Sequence, residues 1–128
     1  MRRRPWAAGL VVFFGLVLSG GGYAAATNVV QSDIGSAEQI DEGRKLFLAN
    51  CASCHGTNGE GAIGGPSLIG VGAASVDFQV GTGRMPGQAS GPQLYKKPVQ
   101  FTEEQIAAMA AYVASLAPGP AIPDGEYL

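Results

Sequence analysis

Charge is scarce in this 128-residue chain, where only 14% of residues are Asp, Glu, Lys or Arg. Beyond residue 32 the basic residues are Arg44, Lys45, Arg84, Lys96 and Lys97, and they face ten acids, a net charge of −5. A surface of that sign repels a phosphate backbone, which excludes nucleic acid as a partner. Cysteine is scarce too: there are two, three positions apart, whereas a secreted domain stapled by disulfides normally spreads four or more along its length. The chain has one histidine, and neither a nucleophile with a partnered base nor paired carboxylates in a cleft can be argued from the sequence. No stretch alternates apolar and polar residues for long enough to make a strand, and no internal repeat is found. What the chain has in excess is glycine and proline, 20 and 8 residues. A short, Gly-rich chain buries too little apolar surface to hold itself together and needs a staple or a cofactor.

The positive mean hydropathy, +0.15, is owed largely to the first 32 residues. Arg2, Arg3 and Arg4 precede an apolar run from Ala7 to Leu18, and no charge appears after them until Asp33. Residues 1–32 therefore read as a leader, in one of two forms. A secretory signal is favoured by the short apolar region and by Ala24-Ala25-Ala26, an Ala-x-Ala cleavage site after a Gly-rich break. A retained membrane anchor is favoured by the 20 uncharged residues from Ala7 to Ala26, about enough to cross a bilayer as a helix. In both forms the arginines stay in the cytoplasm, so the rest of the chain lies on the extracytoplasmic side.

Two amphipathic helices bracket the remaining chain. Ser36 with Gln39 matches a capping box, and Ile40, Gly43, Leu46 and Phe47 share one face of a helix ending near Asn50. Thr102 with Gln105 repeats the pattern before Ile106, Met109, Val113 and Leu116, and Pro118-Gly119-Pro120 stops the second helix. Between them Gly56 to Gln100 holds most of the domain's Gly and Pro and one short helix, Ala73 to Val80, bounded by Gly72 and Gly81. So long a loop-rich stretch is at odds with an ordinary core unless something sits inside it. The domain spans 36–117, and 118–128, rich in Pro and Gly, reads as an extended tail or linker.

The first helix runs into Cys51-Ala52-Ser53-Cys54-His55, which is Cys-x-x-Cys-His, the attachment signature of c-type haem. Thiols at i and i+3 on one helical turn can add to the two vinyl groups of one haem, and the next residue then lies under the iron. A thioredoxin-like redox pair wants a βαβ context that is absent, and a zinc site wants further ligands. A covalent haem c, one per chain, also gives the loop-rich stretch something apolar to fold around. His55 supplies one axial ligand. For the other, Met109 sits on the apolar stripe of the last helix, where methionine usually packs. Met85 lies in Gly83-Arg84-Met85-Pro86, where Gly gives freedom and Pro fixes the chain beside the sulfur. Met85 is the expected ligand, and a thioether opposite imidazole raises the potential.

These residues resemble a class I cytochrome c, and more narrowly the first haem domain of the dihaem cytochrome c subunit of actinobacterial quinol-cytochrome c reductases. The narrower likeness rests on Gly65-Pro66-Ser67-Leu68-Ile69-Gly70-Val71-Gly72-Ala73-Ala74, on Val76 to Pro86, and on Ala110-Ala111-Tyr112-Val113-Ala114, and covers about Gly43 to Pro123. It implies an all-α fold, a small helix bundle with long Gly-rich loops around one haem, in which Gly43 and Phe47 meet the face of Tyr112. It implies that the Pro66 carbonyl takes the proton of His55 Nδ1 and that Leu68 packs on the haem. Family members continue into a second Cys-x-x-Cys-His domain and a C-terminal membrane helix, whereas this chain ends at Leu128, as a fragment or a shortened product would. A tryptophan near a haem propionate, common in the class, is missing, since the only Trp is Trp6. Tyr95, Arg84 and Lys97 are available to a propionate, though each reads as a solvated side chain.

The function so implied is one-electron transfer, with no chemistry beyond redox, on the outer face of a bacterial membrane. The Rieske iron-sulfur protein and the cytochrome b subunit form the donor complex, and cytochrome oxidase or a second haem domain is the acceptor. A free-standing single-haem carrier is the alternative. A haem enzyme or gas sensor with an open distal site, and a haem-free thiol oxidoreductase, are the rivals of another class.

Overall fold

The computed structural model describes residues 5–123 and 125. The chain divides into two units, residues 1–33 and 34–128. The first is built on α1, Pro5–Ile34, a helix that continues through Gly20, Gly21 and Gly22 without the expected break. Its stretch Trp6–Ala24 is 19 residues long, uncharged and not buried by protein. At 1.5 Å per residue that is about 28 Å, close to the thickness of a bilayer core. By length and composition it suits a membrane span, and a signal sequence meets the same description.

The second unit holds α2 (Ala37–Asn50), the single turn α3 (Ala52–His55), α4 (Gly72–Gly81) and α5 (Glu103–Leu116). Among the described residues there is no strand, only one isolated bridge between Ala62 and Gly65. The fold is all-α. At α2 one half of the expected box is made, the Ser36 hydroxyl accepting from the Gln39 N–H at 3.1 Å, and at α5 the whole box is made. At α5 the Thr102 hydroxyl accepts from the Gln105 backbone at 3.3 Å, while the Gln105 side chain takes the Thr102 N–H at 3.0 Å. Such caps satisfy N–H groups that have no partner in the first helical turn.

Helix α5 lies between α2 and α4 and packs on both. Phe47 and Tyr112 meet with ring centroids 5.1 Å apart. One turn earlier, Gly43 lies so close to α5 that a Cβ there would overlap the Ala108 carbonyl. The approach requires glycine, and it lets the Phe47 ring reach Tyr112. The apolar stripe expected on α5 widens into a band, with every residue from Ala108 to Val113 buried. The reason is geometric: a helix with neighbours on two sides buries more than the roughly 100° stripe of a surface helix.

Residues 118–120 depart from the expected extended tail. The chain doubles back after α5, and the Pro120 carbonyl accepts from the Ala74 N–H at 3.2 Å. Gly72, at φ +75°, lies against the backbone of Gly119 and Pro120. The residue preceding α4, Val71, has no side-chain oxygen, so its first turn needs a carbonyl from elsewhere. The segment that looked like linker supplies it.

Candidate functional site

Cys51 breaks the helical run. Its backbone, at φ −122° and ψ −33°, ends α2, and its carbonyl then accepts from the N–H groups of Cys54 and His55 at 3.1 and 3.0 Å. The five-residue motif is thereby wound into one turn. His55 ends that turn with 7% of its surface exposed. Its Nδ1 lies 2.7 Å from the Pro66 carbonyl oxygen. A carbonyl only accepts, so Nδ1–H is the donor, and the neutral ring keeps its lone pair on Nε2. A bond of this kind fixes the ring plane and makes Nε2 a better donor to a metal.

The loop after His55 is folded back to make that bond. The Gly61 N–H donates to the His55 carbonyl and the Leu68 N–H to the Gly59 carbonyl, both at 2.7 Å. Gly64 and Gly65 pass directly over the motif. A Cβ on Gly64 would sit 3.2 Å from Cys54 Cα, and one on Gly65 would sit 2.9 Å from His55 Cε1. Cys54 is exposed and Cys51 partly buried, and both are free thiols. Burial pushes the Cys51 thiol up to about 11, with repulsion from Cys54 adding to it. An uncharged thioether suits that position better than a thiolate does.

On the same crevice as His55, Met85 follows α4 on a short loop. Its N–H donates to the Gln79 carbonyl at 2.9 Å. Two adjoining cavities, of about 500 and 300 Å³, share Cys54, His55, Pro66, Met85 and Gly87. The smaller one reaches inward to Cys51, Leu68, Val76 and Val80 and to the bottom of the core at Phe47, Met109 and Val113. All six expected site residues, Cys51, Cys54, His55, Pro66, Leu68 and Met85, border this one crevice. Met109 borders its inner part too, but it is 2% exposed and packed in the core, whereas Met85 is shared by both cavities with His55.

A haem fits what lines the crevice. The inner wall is apolar and long, which suits a flat hydrocarbon disc, and two thiols open onto it. Gln79 Oε1, also on that wall, is buried without a hydrogen-bond partner. A buried amide left unpaired is costly, and it marks a place where a polar substituent of a bound group can be met, by the oxygen as acceptor or, with the amide turned, by its NH2 as donor. Among the described residues, no three of His, Cys, Asp and Glu come together to cage a metal ion. An iron that arrives with its own macrocycle needs only one ligand from each side.

Sequence reasoning passed over Gln79; a polar residue three positions after Val76, on the inward face of α4, was the available signal. It also misjudged Lys97. That side chain is partly buried and donates to the Arg84 and Pro86 carbonyls, each at 2.9 Å. Arg84 lies over the Phe78 ring, 5.0 Å from its centroid, and Tyr95 is 88% exposed.

A family model described as Cytochrome c matches residues 40–117. The chain is 42% identical over 131 residues to a protein of Mycobacterium tuberculosis named cytochrome bc1 complex cytochrome c subunit, covering 97% of this chain and 47% of that protein. A protein of Corynebacterium efficiens with the same name is 40% identical over 126 residues, covering 94% of this chain and 42% of its own length. A protein of Synechocystis named cytochrome c-553-like is 61% identical over a shorter stretch of 31 residues, 24% of this chain and 29% of that protein. The chain spans about half the length of the first two relatives.

Proposed function

Because the chain belongs to the cytochrome c family, whose members carry covalent haem c, we propose that it passes single electrons within the cytochrome c subunit of a respiratory quinol-cytochrome c reductase. The observation that carries the reading is the 2.7 Å bond from His55 to Pro66, with Met85 lining the same crevice. In this reading Cys51 and Cys54 would hold the haem through thioethers, and His55 Nε2 and Met85 Sδ would ligate its iron. The Pro66 carbonyl orients the imidazole, and Leu68 packs against the ring. The haem supplies the one-electron ferric-ferrous exchange, and the thioether ligand raises its potential. The protein's part is to present one ligand on each side, keep water from the inner wall and leave the outer cavity rim as the edge through which an electron leaves.

The likeness to the mycobacterial and corynebacterial subunits supports the place in a complex. There the Rieske iron-sulfur protein and the cytochrome b subunit act as donor side, and cytochrome oxidase or a second haem domain as acceptor. The apolar α1 supports attachment to, or export across, the membrane, with the haem domain outside the cytoplasm. Residues 1–32 are then leader, 36–117 the haem domain, and 118–128 a C-terminal tail or linker whose first residues, 118–120, pack back on α4.

Denaturing the holoprotein in acidified organic solvent tests attachment: the haem stays with the chain, and haem that extracts freely overturns the thioether reading. Replacing each methionine tests ligation. Met85→Leu loses the weak far-red band of a Met-ferric iron bond, while Met109→Leu keeps it and costs less than about 1.5 kcal/mol as a volume-conserving swap. The opposite pattern reverses the assignment. Co-purification with reductase subunits in mild detergent tests the complex, and elution of the protein alone favours the free carrier.

A further inference from the structure

The loop that presents Met85 is held from three directions. From below, the Gln79 carbonyl takes the Met85 N–H. From the side, the Lys97 backbone lies so close to Gly83, at φ +72°, that a Cβ there would overlap the Lys97 carbonyl. From above, the Lys97 side chain turns over the loop, and Nζ reaches the carbonyls of both residues that flank Met85, Arg84 and Pro86, at 2.9 Å each. One ammonium thus fixes the peptide groups on both sides of a single side chain. Hydrogen bonds from a charged donor are shorter and stronger than neutral ones.

We propose that Lys97 is the positioning residue for Met85: its ammonium clamps the loop on both flanks of the methionine and so holds the sulfur over the crevice. The inference rests on the reading of Met85 as an axial ligand. The clamp spans the outer wall, because residues 87–93 between its two ends are exposed, and of these Gly87 to Gly91 line the outer cavity while only Gly87 reaches the inner one. Lys97 has no part in the packed core around Phe47, Met109 and Val113. Releasing it therefore loosens the sulfur's hold on the iron without unpacking the helices. A neighbouring lysine, Lys96, is exposed and serves as the internal control.

The test uses the ferric holoprotein and imidazole as the probe, since imidazole competes with the methionine sulfur for iron. Hydrogen bonds to a charged group are strong enough that losing this pair in Lys97→Met tightens imidazole binding roughly tenfold or more. The urea midpoint stays within the range of Lys96→Met, and the far-red band is present but lost at lower imidazole. Imidazole affinity unchanged in Lys97→Met overturns the proposal, as does a midpoint that falls in step with the affinity. Should Lys97→Met yield no holoprotein, Lys97→Arg carries the test. Its planar fork keeps the charge and the donors but is bulkier than the ammonium, so it reaches the two carbonyls only with a shift of the loop, and imidazole tightens by about threefold or more. An unchanged affinity there overturns the clamp. Met85→Leu separates the two readings: if it keeps the band and the parent's imidazole affinity, the ligand assignment has failed and the clamp with it. If it loses the band while Lys97→Met and Lys97→Arg bind imidazole like the parent, the clamp alone has failed.

Discussion

His55 and Met85 face one crevice, but the chain holds them by different means. On the His55 side the thiols and the imidazole lie within five consecutive residues, and the helical turn that carries them closes on its own backbone. The loop bearing Pro66 folds back within eleven positions to fix the ring. On the Met85 side the methionine hangs from the end of α4, and what fixes it comes from Lys97, twelve positions on. The helix it hangs from is itself capped by Pro120, from the far end of the chain. One wall is assembled locally, the other from three separated segments. Local contacts form with little loss of chain entropy, whereas remote ones must repay loop closure and so open more readily.

The largest effect is expected where both walls share a foundation. Gly43→Val drives a side chain into the Ala108 carbonyl, and α2 and α5 must separate to admit it. Overpacking costs about 1–3 kcal/mol and occasionally more, and here the obstacle is backbone. Urea unfolding of the holoprotein should show a loss at or above the top of that range, with both axial signatures weakened together. Survival of one wall without the other would break the idea of a common base.

Gly65→Ala addresses the His55 wall alone. Gly65 carries no left-handed backbone, so the substitution is a matter of space only, and its Cβ meets the imidazole at 2.9 Å. A loss of about 1–3 kcal/mol is expected, together with a changed reduction potential as the ring tilts from the Pro66 carbonyl. The far-red band of the Met85 side should stay. If the band goes and the potential does not move, the walls are not separable in the way described.

The smallest effect sharpens the account of the Met85 wall. A chain ended after Ala117 lacks the Pro120 carbonyl and leaves the Ala74 N–H to water. One hydrogen bond is worth about 0.5–1.5 kcal/mol. Amide hydrogen exchange in the first turn of α4 should speed up, while α2 and the His55 turn keep their protection. Equal protection in both chains would return residues 118–120 to the status of plain linker.

How much of this was legible beforehand depends on where each signal lies. The caps at Ser36 and Thr102, the face of Ile40, Gly43, Leu46 and Phe47, and the short helix bounded by Gly72 and Gly81 were all readable, because each is a pattern of near neighbours. The Cys51 to His55 motif was readable for the same reason. Lys97 read as a solvated cation, since nothing within its own segment indicates that carbonyls 11 and 13 residues earlier come within 2.9 Å of its ammonium. Gln79 carried a faint signal, a polar residue on an inward helical face, which composition alone does not distinguish from an ordinary boundary residue.

By itself the sequence determined that the domain is helical and that Cys51, Cys54 and His55 form a Cys-x-x-Cys-His motif in a chain of the cytochrome c family. Helical periodicity and the reach of a single turn are properties of the local backbone, and they hold before any packing occurs. Tertiary structure alone decided that α5 is buried on two sides, that Pro120 caps α4, and that Lys97 grips the loop on either side of Met85. Those contacts join residues far apart in the chain, and their partners are backbone carbonyls, which every residue carries and no sequence pattern marks.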